Sequence, residues 1–291
     1  MADPLAFLVG VPLLVPILSR AAPLALAGLG GIVSERAGVV NIALEGMMLI
    51  GAFVGILVGQ HLGIVGGLIA AVIAGIATGG IHYLLTQKLL VDQVVSGVAI
   101  NLLALQGTTF LLRTIYGPTS GKVPYITTGI PTGFFIALTI VLVFATNFVL
   151  FKTTFGLRLR AAGESPVSAR MSGLNPQLLR LWAVLLSGAF ASLGGAYLSL
   201  SLTTRFSDNM VSGRGFIALA AVICGRWNPL GMAVGAVVFG LLDAIQVQLQ
   251  GNVALPGEVL RAIPYLFTIL AAMLLRPRAP LALGKVDLES A

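Results

Sequence analysis

Apolar positions along this chain run in long uninterrupted stretches instead of alternating with polar ones. Eight stretches stand out, at about 5–33, 39–59, 62–86, 93–112, 133–151, 178–202, 229–249 and 258–275, with a shorter run at 214–225. A helix needs about 20 residues to cross some 30 Å of hydrocarbon, and most of these stretches are of that order. Their continuous mixture of Leu, Ala, Val, Ile and Gly favours helices over barrel strands, which would alternate inward and outward. The expected fold is all-α: a polytopic bundle of about 8 to 10 spanning or partial helices within one transmembrane domain covering 1–291. The first stretch is too long for one straight crossing, and Pro12, Pro16 and Pro23 predict a kinked span or a pair of partial helices.

Composition agrees with lipid as the solvent. The 291 residues are 57% hydrophobic and 9% charged, whereas soluble domains carry roughly 25% charged residues. No sizeable soluble domain is left over. Cys224 is the one cysteine, so no intrachain disulfide exists. No basic region precedes the apolar N-terminus, which is expected to stay in the membrane and not to be cleaved.

The net charge of +7 is unevenly placed. With the short run counted as a crossing, eleven of the 17 Lys and Arg residues fall on one set of connections, from Arg36 and Lys88 through 152–180 and Arg226 to the C-terminal tail. Five fall on the other set: Arg113, Lys122, Arg205, Arg214 and Arg261. Positive charge collects on the cytoplasmic side, so the 152–180 loop and the C-terminus are expected there, with the N-terminus outside if the first stretch crosses once. The basic residues form no patch with interleaved aromatics, and nucleic acid is not an expected partner. Gly28, Gly31, Gly194, Gly195, Gly231 and Gly235 have the spacing that lets helix backbones approach closely in lipid.

The 152–180 loop, KTTFGLRLRAAGESPVSARMSGLNPQLLR, carries its own helix signals. Ser165 suits an N-cap, Pro166 the first helical position and Gly173 a left-handed closing residue. About two turns, 166–172, are expected at the membrane surface. Val167 and Met171 share one face, a small apolar knob of the kind that seats in a partner's groove.

Three blocks carry a family resemblance. The stretch Arg160-Ala161-Ala162-Gly163-Glu164 followed by Gly173 is similar to the coupling loop of permeases in ATP-binding cassette importers. The run from Gly28 through Ser34-Glu35-Arg36-Ala37-Gly38 and Asn41 to Glu45-Gly46-Met47-Met48 resembles the ribose, nucleoside and branched-chain amino acid permease family. The block Gly213-Arg214-Gly215-Phe216 to Gly225-Arg226-Trp227-Asn228-Pro229-Leu230-Gly231 resembles the same family, nearest its nucleoside branch. Arg160 stands where a Glu often begins the coupling pattern. The resemblance implies an alternating-access permease subunit in the plasma (cell inner) membrane. Its implied partners are a separate cytoplasmic ATPase holding ATP and Mg, a second and different permease chain, and an extracytoplasmic solute-binding protein. It also implies an ATPase contact formed by Ala162, Gly163, Glu164, Ser165, Pro166, Val167, Arg170, Met171 and Gly173.

Polar groups within the spans are the candidate pathway, because each is costly in hydrocarbon. Asn41 and Glu45 are four apart and would share a helix face, where they either border a pathway or bond neighbouring helices. Asn101 and Gln106 offer amides, and Asp243, Gln246 and Gln250 form a stripe, though both sets suit helix-to-helix bonding too. Glu35 and Arg36 are expected to fix a turn as a local ion pair. Phe110, Phe190 and Tyr197 are aromatic candidates for stacking on a base, or simply packed or lipid-facing.

The sequence holds no GxxxxGK[ST] loop, no HExxH and no metal-spaced cysteine pair, and His61 and His82 fall at span edges. Neither a catalytic set nor a metal site is expected, and ATP must be held elsewhere. Rival readings are transport of ribose-like sugars or branched-chain amino acids by the same class, or a secondary transporter with Glu45 or Asp243 as a proton relay.

Overall fold

In the computed structural model, residues 14–117, 124–249, 266–267, 273 and 279–285 are described. Pro12, Gln250 and almost all of the expected 258–275 crossing lie outside them. The described chain is helical: α1 Leu14–Arg36, α2 Leu44–Tyr83, α3 Gln93–Tyr116, α4 Thr132–Lys152, α5 Thr154–Glu164, α6 Pro166–Met171, α7 Pro176–Tyr197, α8 Arg214–Cys224 and α9 Pro229–Leu249. Short π-helical turns, Leu84–Lys88 and Leu198–Leu202, extend α2 and α7. The one β-type pairing among the described residues is the isolated bridge between Tyr125 and Arg205.

Of the two alternatives for the first segment, the described part does not form a pair of partial helices. From Leu14 onward α1 is one continuous helix, with Pro23 inside it. A proline removes one backbone bond, but α1 is buried from Ala21 to Glu35 and its neighbours hold it in place.

α2 behaves in the opposite way. Gly63, with φ 74° and ψ 174°, breaks it, and the chain turns back on itself. Gly59 and Gly55 of the first arm meet Gly67 and Ala71 of the second, while Gly51 and Gly75 both abut Ser192 of α7. These pairings are symmetric about Gly63, as in an antiparallel hairpin of two crossings. Six helices are long and apolar enough to span a bilayer, and the turn at Gly63 makes seven crossings of them among the described residues. The protein is a multi-pass helical membrane bundle.

α7 is the central post. A Cβ on Gly195 would fall on the Met48 carbonyl of α2, and one on Gly188 would fall on the Gly75 carbonyl of its second arm. Gly30 of α1 abuts the Ser187 backbone, and Gly194 abuts the Pro23 carbonyl. Such approaches let dispersion between backbones do what the hydrophobic effect cannot do in lipid. Gly28, Gly31, Gly231 and Gly235 also face neighbouring elements closely.

The basic connections gather at one end. Gly163 packs on the Arg36 carbonyl. Arg180 donates to Ala37 O and Gln87 Oε1, Lys88 to Gln177 Oε1, and Arg36 to Trp227 O. The opposite end holds Gly63, the Gln60–Tyr116 hydrogen bond and the Tyr125–Arg205 bridge.

Candidate functional site

Two elements begin inside the bundle and not at its ends. The connector 37–43 is non-helical, and Asn41 Nδ2 donates to Ser187 Oγ at 2.7 Å. Ser187 lies roughly 16 Å along α7 from its basic end, at 1.5 Å per residue. α2 therefore starts within the membrane. α8 does likewise: its N-terminal amides, Gly213 and Gly215, each donate to a Glu45 carboxylate oxygen at 2.7 Å. A carboxylate at a helix N-terminus meets both unpaired donors and the positive end of the helix dipole. Glu45 is also in the first turn of α2, so two helix N-termini converge on one carboxylate.

Beside this junction lies a cavity of about 490 Å³, lined by Ser19, Arg20, Pro23, Leu198, Leu202 and Thr203, together with Ser207 to Met210, Ser212 and Arg214. Arg20 of α1 donates to Asp243 Oδ2 of α9 at 2.6 Å, and Arg214 Nη2 is 3.9 Å from the same oxygen. Arg214 also donates to the Met210 and Val211 carbonyls at 3.2 Å. The loop between α7 and α8 turns through left-handed Thr204, Asn209 and Ser212 before Gly213. A second hollow, lined by Leu18, Ala21, Ile140, Val143, Val234 and neighbouring apolar residues, is a groove between α1, α4 and α9 that suits a lipid chain.

The basic end carries a separate surface. Ser165 caps α6 by accepting from Ser168 N. Leu174 N donates to Ala169 O and Gly173 N to Arg170 O, the paired bonds of a Schellman closure with Gly173 at φ 77°. α6 is thus defined at both ends, and Val167 (51%) and Met171 (86%) stand exposed on it.

Residues 13–275 match the family described as branched-chain amino acid transport system / permease component. The chain belongs to this permease family. Among its relatives, the guanosine ABC transporter permease protein NupQ of Bacillus subtilis is 39% identical, over 86% of this chain and 88% of its own length. The nucleoside ABC transporter permease protein NupC of Lactococcus lactis is 35% identical, over 88% and 90%. A solved metal-chelate type ABC transporter in an inward-facing conformation shares the fold, with TM-score 0.51 and 19% identity, over 94% of this chain and 90% of that one. The protein is a permease subunit of an ABC importer, a transport component and not an enzyme.

Within this permease the candidate residues divide. Asn41 and Glu45 do not share a helical face, because α2 starts at Leu44 and Asn41 lies in the extended connector, accepting from Ala43 N. Asn101 accepts from Gly46 N of α2 at 2.7 Å and donates to Ile42 O of the 37–43 connector at 3.0 Å. Gln106 is exposed on α3, and Gln246 is buried on α9. Of the pathway candidates, Asp243 meets the polar cavity's lining at Arg20, and Glu45 adjoins it through the amides on either side of Arg214. Phe110 faces outward, Phe190 is half-buried, and Tyr197 is fully buried with its ring 4.7 Å from Phe135.

The coupling residues divide as well. Ala162 and Gly163 are buried and pack inward, on the Arg36 side of α5. Glu164 Oε2 accepts from Leu281 N, and Gly163 O accepts from Ala282 N. They tie the loop to the bundle, while Val167 and Met171 face away from it. The local Glu35–Arg36 pair is absent: Glu35 instead accepts from the Trp227 indole, and Arg36 grips the Trp227 carbonyl. Sequence reading missed Arg20, Arg214, Ser207, Asp208 and Asn209. Opposite charges in separate spans, Arg20 and Asp243, were the available signal, because charges in lipid are paired.

Proposed function

We propose that this permease imports nucleosides, in the plasma (cell inner) membrane, with the coupling loop and C-terminus cytoplasmic. A separate ATPase holding ATP and Mg grips α6, a second permease chain of different sequence completes the pathway, and a solute-binding protein delivers cargo at the Gly63 end. The observation that carries the coupling is α6 itself. It is capped at both ends, follows Arg158 and Arg160 of α5, carries Arg170 in its last turn, and displays Val167 and Met171 unburied. Similarity to guanosine and nucleoside permeases over most of the chain supports the cargo. Nucleotide-driven closure of the ATPases would move α6 and, through α5 and α7, reorient the spans between two access states.

The secondary-transporter reading needs a carboxylate free to relay protons. Glu45 holds two amides and Asp243 holds Arg20, an arrangement that favours anchoring roles. Val167→Asp and Met171→Asp place a charge on the apolar knob. Uptake should fall at least about tenfold, equivalent to about 1.4 kcal/mol in the coupling step, while membrane levels hold. ATP-driven nucleoside uptake at wild-type rate in both variants would defeat the docking assignment, and uptake abolished by collapsing the proton gradient at high ATP would defeat the class of mechanism.

A further inference from the structure

The polar cavity has a charge arrangement that says what it can hold. Its wall carries two guanidiniums, Arg20 and Arg214, and one carboxylate, Asp208, while Asp243 closes on both guanidiniums from α9. The charges cancel. The next anion-seeking feature along the wall, the α8 N-terminus, is filled by Glu45, whose two oxygens hold Gly213 N and Gly215 N on either side of Arg214. An open half-helix N-terminus is a ready receptor for a solute carboxylate or phosphate. Here the protein supplies that carboxylate itself. What stays accessible is a set of neutral or balanced hydrogen-bonding groups, Ser207, Asp208, Asn209 and Ser212, exposed at the cavity, with the apolar side chains of Leu198 and Leu202 in the same lining. Hydroxyls beside an apolar ring face match that lining, and the volume of about 490 Å³ lies within the range of small-molecule sites.

We propose that this cavity receives the sugar ring of the solute in transit and admits cargo without net charge, because Asp243 and Glu45 already occupy the positions an anionic group would take. The inference rests on the nucleoside reading and sharpens it: nucleosides and free sugars fit, whereas nucleotides and zwitterionic amino acids meet no unfilled anion receptor.

Ser207→Cys in a Cys224→Ala background, assembled with its partner permease and ATPase in nanodiscs and without solute-binding protein, tests this by the rate of reaction with a thiol reagent. Guanosine should slow labelling severalfold, and guanosine 5′-monophosphate and leucine should not. Adding Asp243→Asn removes the carboxylate that Arg20 and Arg214 share and should make the monophosphate protect. Asp208→Asn, at an exposed position where folding is not at stake, should shift protection in the same direction. Labelling indifferent to guanosine, in a complex whose complete importer takes guanosine up, overturns the subsite. Protection by the monophosphate in the unaltered cavity overturns the charge argument. A complete importer that does not take up nucleosides at all defeats the cargo assignment instead, and that result is read in a separate uptake assay.

Discussion

Glu45 joins the two halves of the described chain through one side chain. It lies in the first turn of α2, yet its oxygens bind amides 168 and 170 residues away at the start of α8. Hydrogen bonds to a charged group contribute about 1.5–3 kcal/mol each. Glu45→Ala removes both and leaves two amides, at half-buried Gly213 and buried Gly215, without that acceptor, so it should destabilise the protein by on the order of 3 kcal/mol. Glu45→Gln keeps the shape and at most one strong acceptor, and should fall between. The midpoint of thermal unfolding in detergent reads the series; equal midpoints for all three proteins would show that α8 is held by packing alone. Trp227 is anchored in a comparable way at the other end of α8. Arg226 and Trp227 both adopt left-handed backbone, at φ 56° and 54°, a cost sustained because Glu35 and Arg36 hold the indole and the carbonyl.

α6 is the element whose form is most fully written in the sequence. Ser165, Pro166 and Gly173 each encode a backbone state that few other residues adopt so readily, and the structure uses all three in those roles. Gly173→Val puts a β-branched side chain at φ 77°, which costs about 1–2 kcal/mol, paid largely as fraying of the last turn, where Met171 sits. Coupled uptake per ATP hydrolysed should drop, while Gly173→Asn, which tolerates left-handed backbone, should retain most of it; equal coupling in the two variants would show that the closure of α6 is immaterial. The helix preceding it, α5, was not legible. Its Thr153 cap and its two arginines read as loop, and its buried face is defined largely by Arg36 and the 279–285 segment, neither of which is local to it. The same holds for the pathway residues. Spacing placed Asn41 and Glu45 on one helix, but which residue begins α2 depends on the Ser187 and Asn101 contacts, and these exist only after the bundle packs. Long apolar stretches were legible because lipid demands them everywhere, and the division between 39–59 and 62–86 already marked two crossings; that the turn falls at Gly63 depends on a positive φ at one glycine among 36.

At the scale of the whole molecule, the basic end is built as a set of rigid links from α6 into the spans. α6 leads through four residues to α7, whose Arg180 is fully buried and bonds both the 37–43 connector and the turn after α2. Upstream, α5 sets Gly163 on the Arg36 carbonyl at the end of α1, and the 279–285 segment bonds Gly163 and Gly38 together. A displacement of α6 thus reaches α1, α2 and α7 without passing through a flexible loop, but only if a motor stands on that side of the bilayer. The proposed cytoplasmic placement of α6 rests on eleven of 17 basic residues falling on the same set of connections. In a Cys224→Ala background, Met171→Cys and His61→Cys occupy exposed positions at opposite ends of the bundle. An impermeant thiol reagent applied to intact cells should label His61→Cys at once and Met171→Cys only after permeabilisation. The reverse pattern would put α6 outside, where no ATP-driven partner reaches it, and the links from α6 into the spans would then serve stability alone.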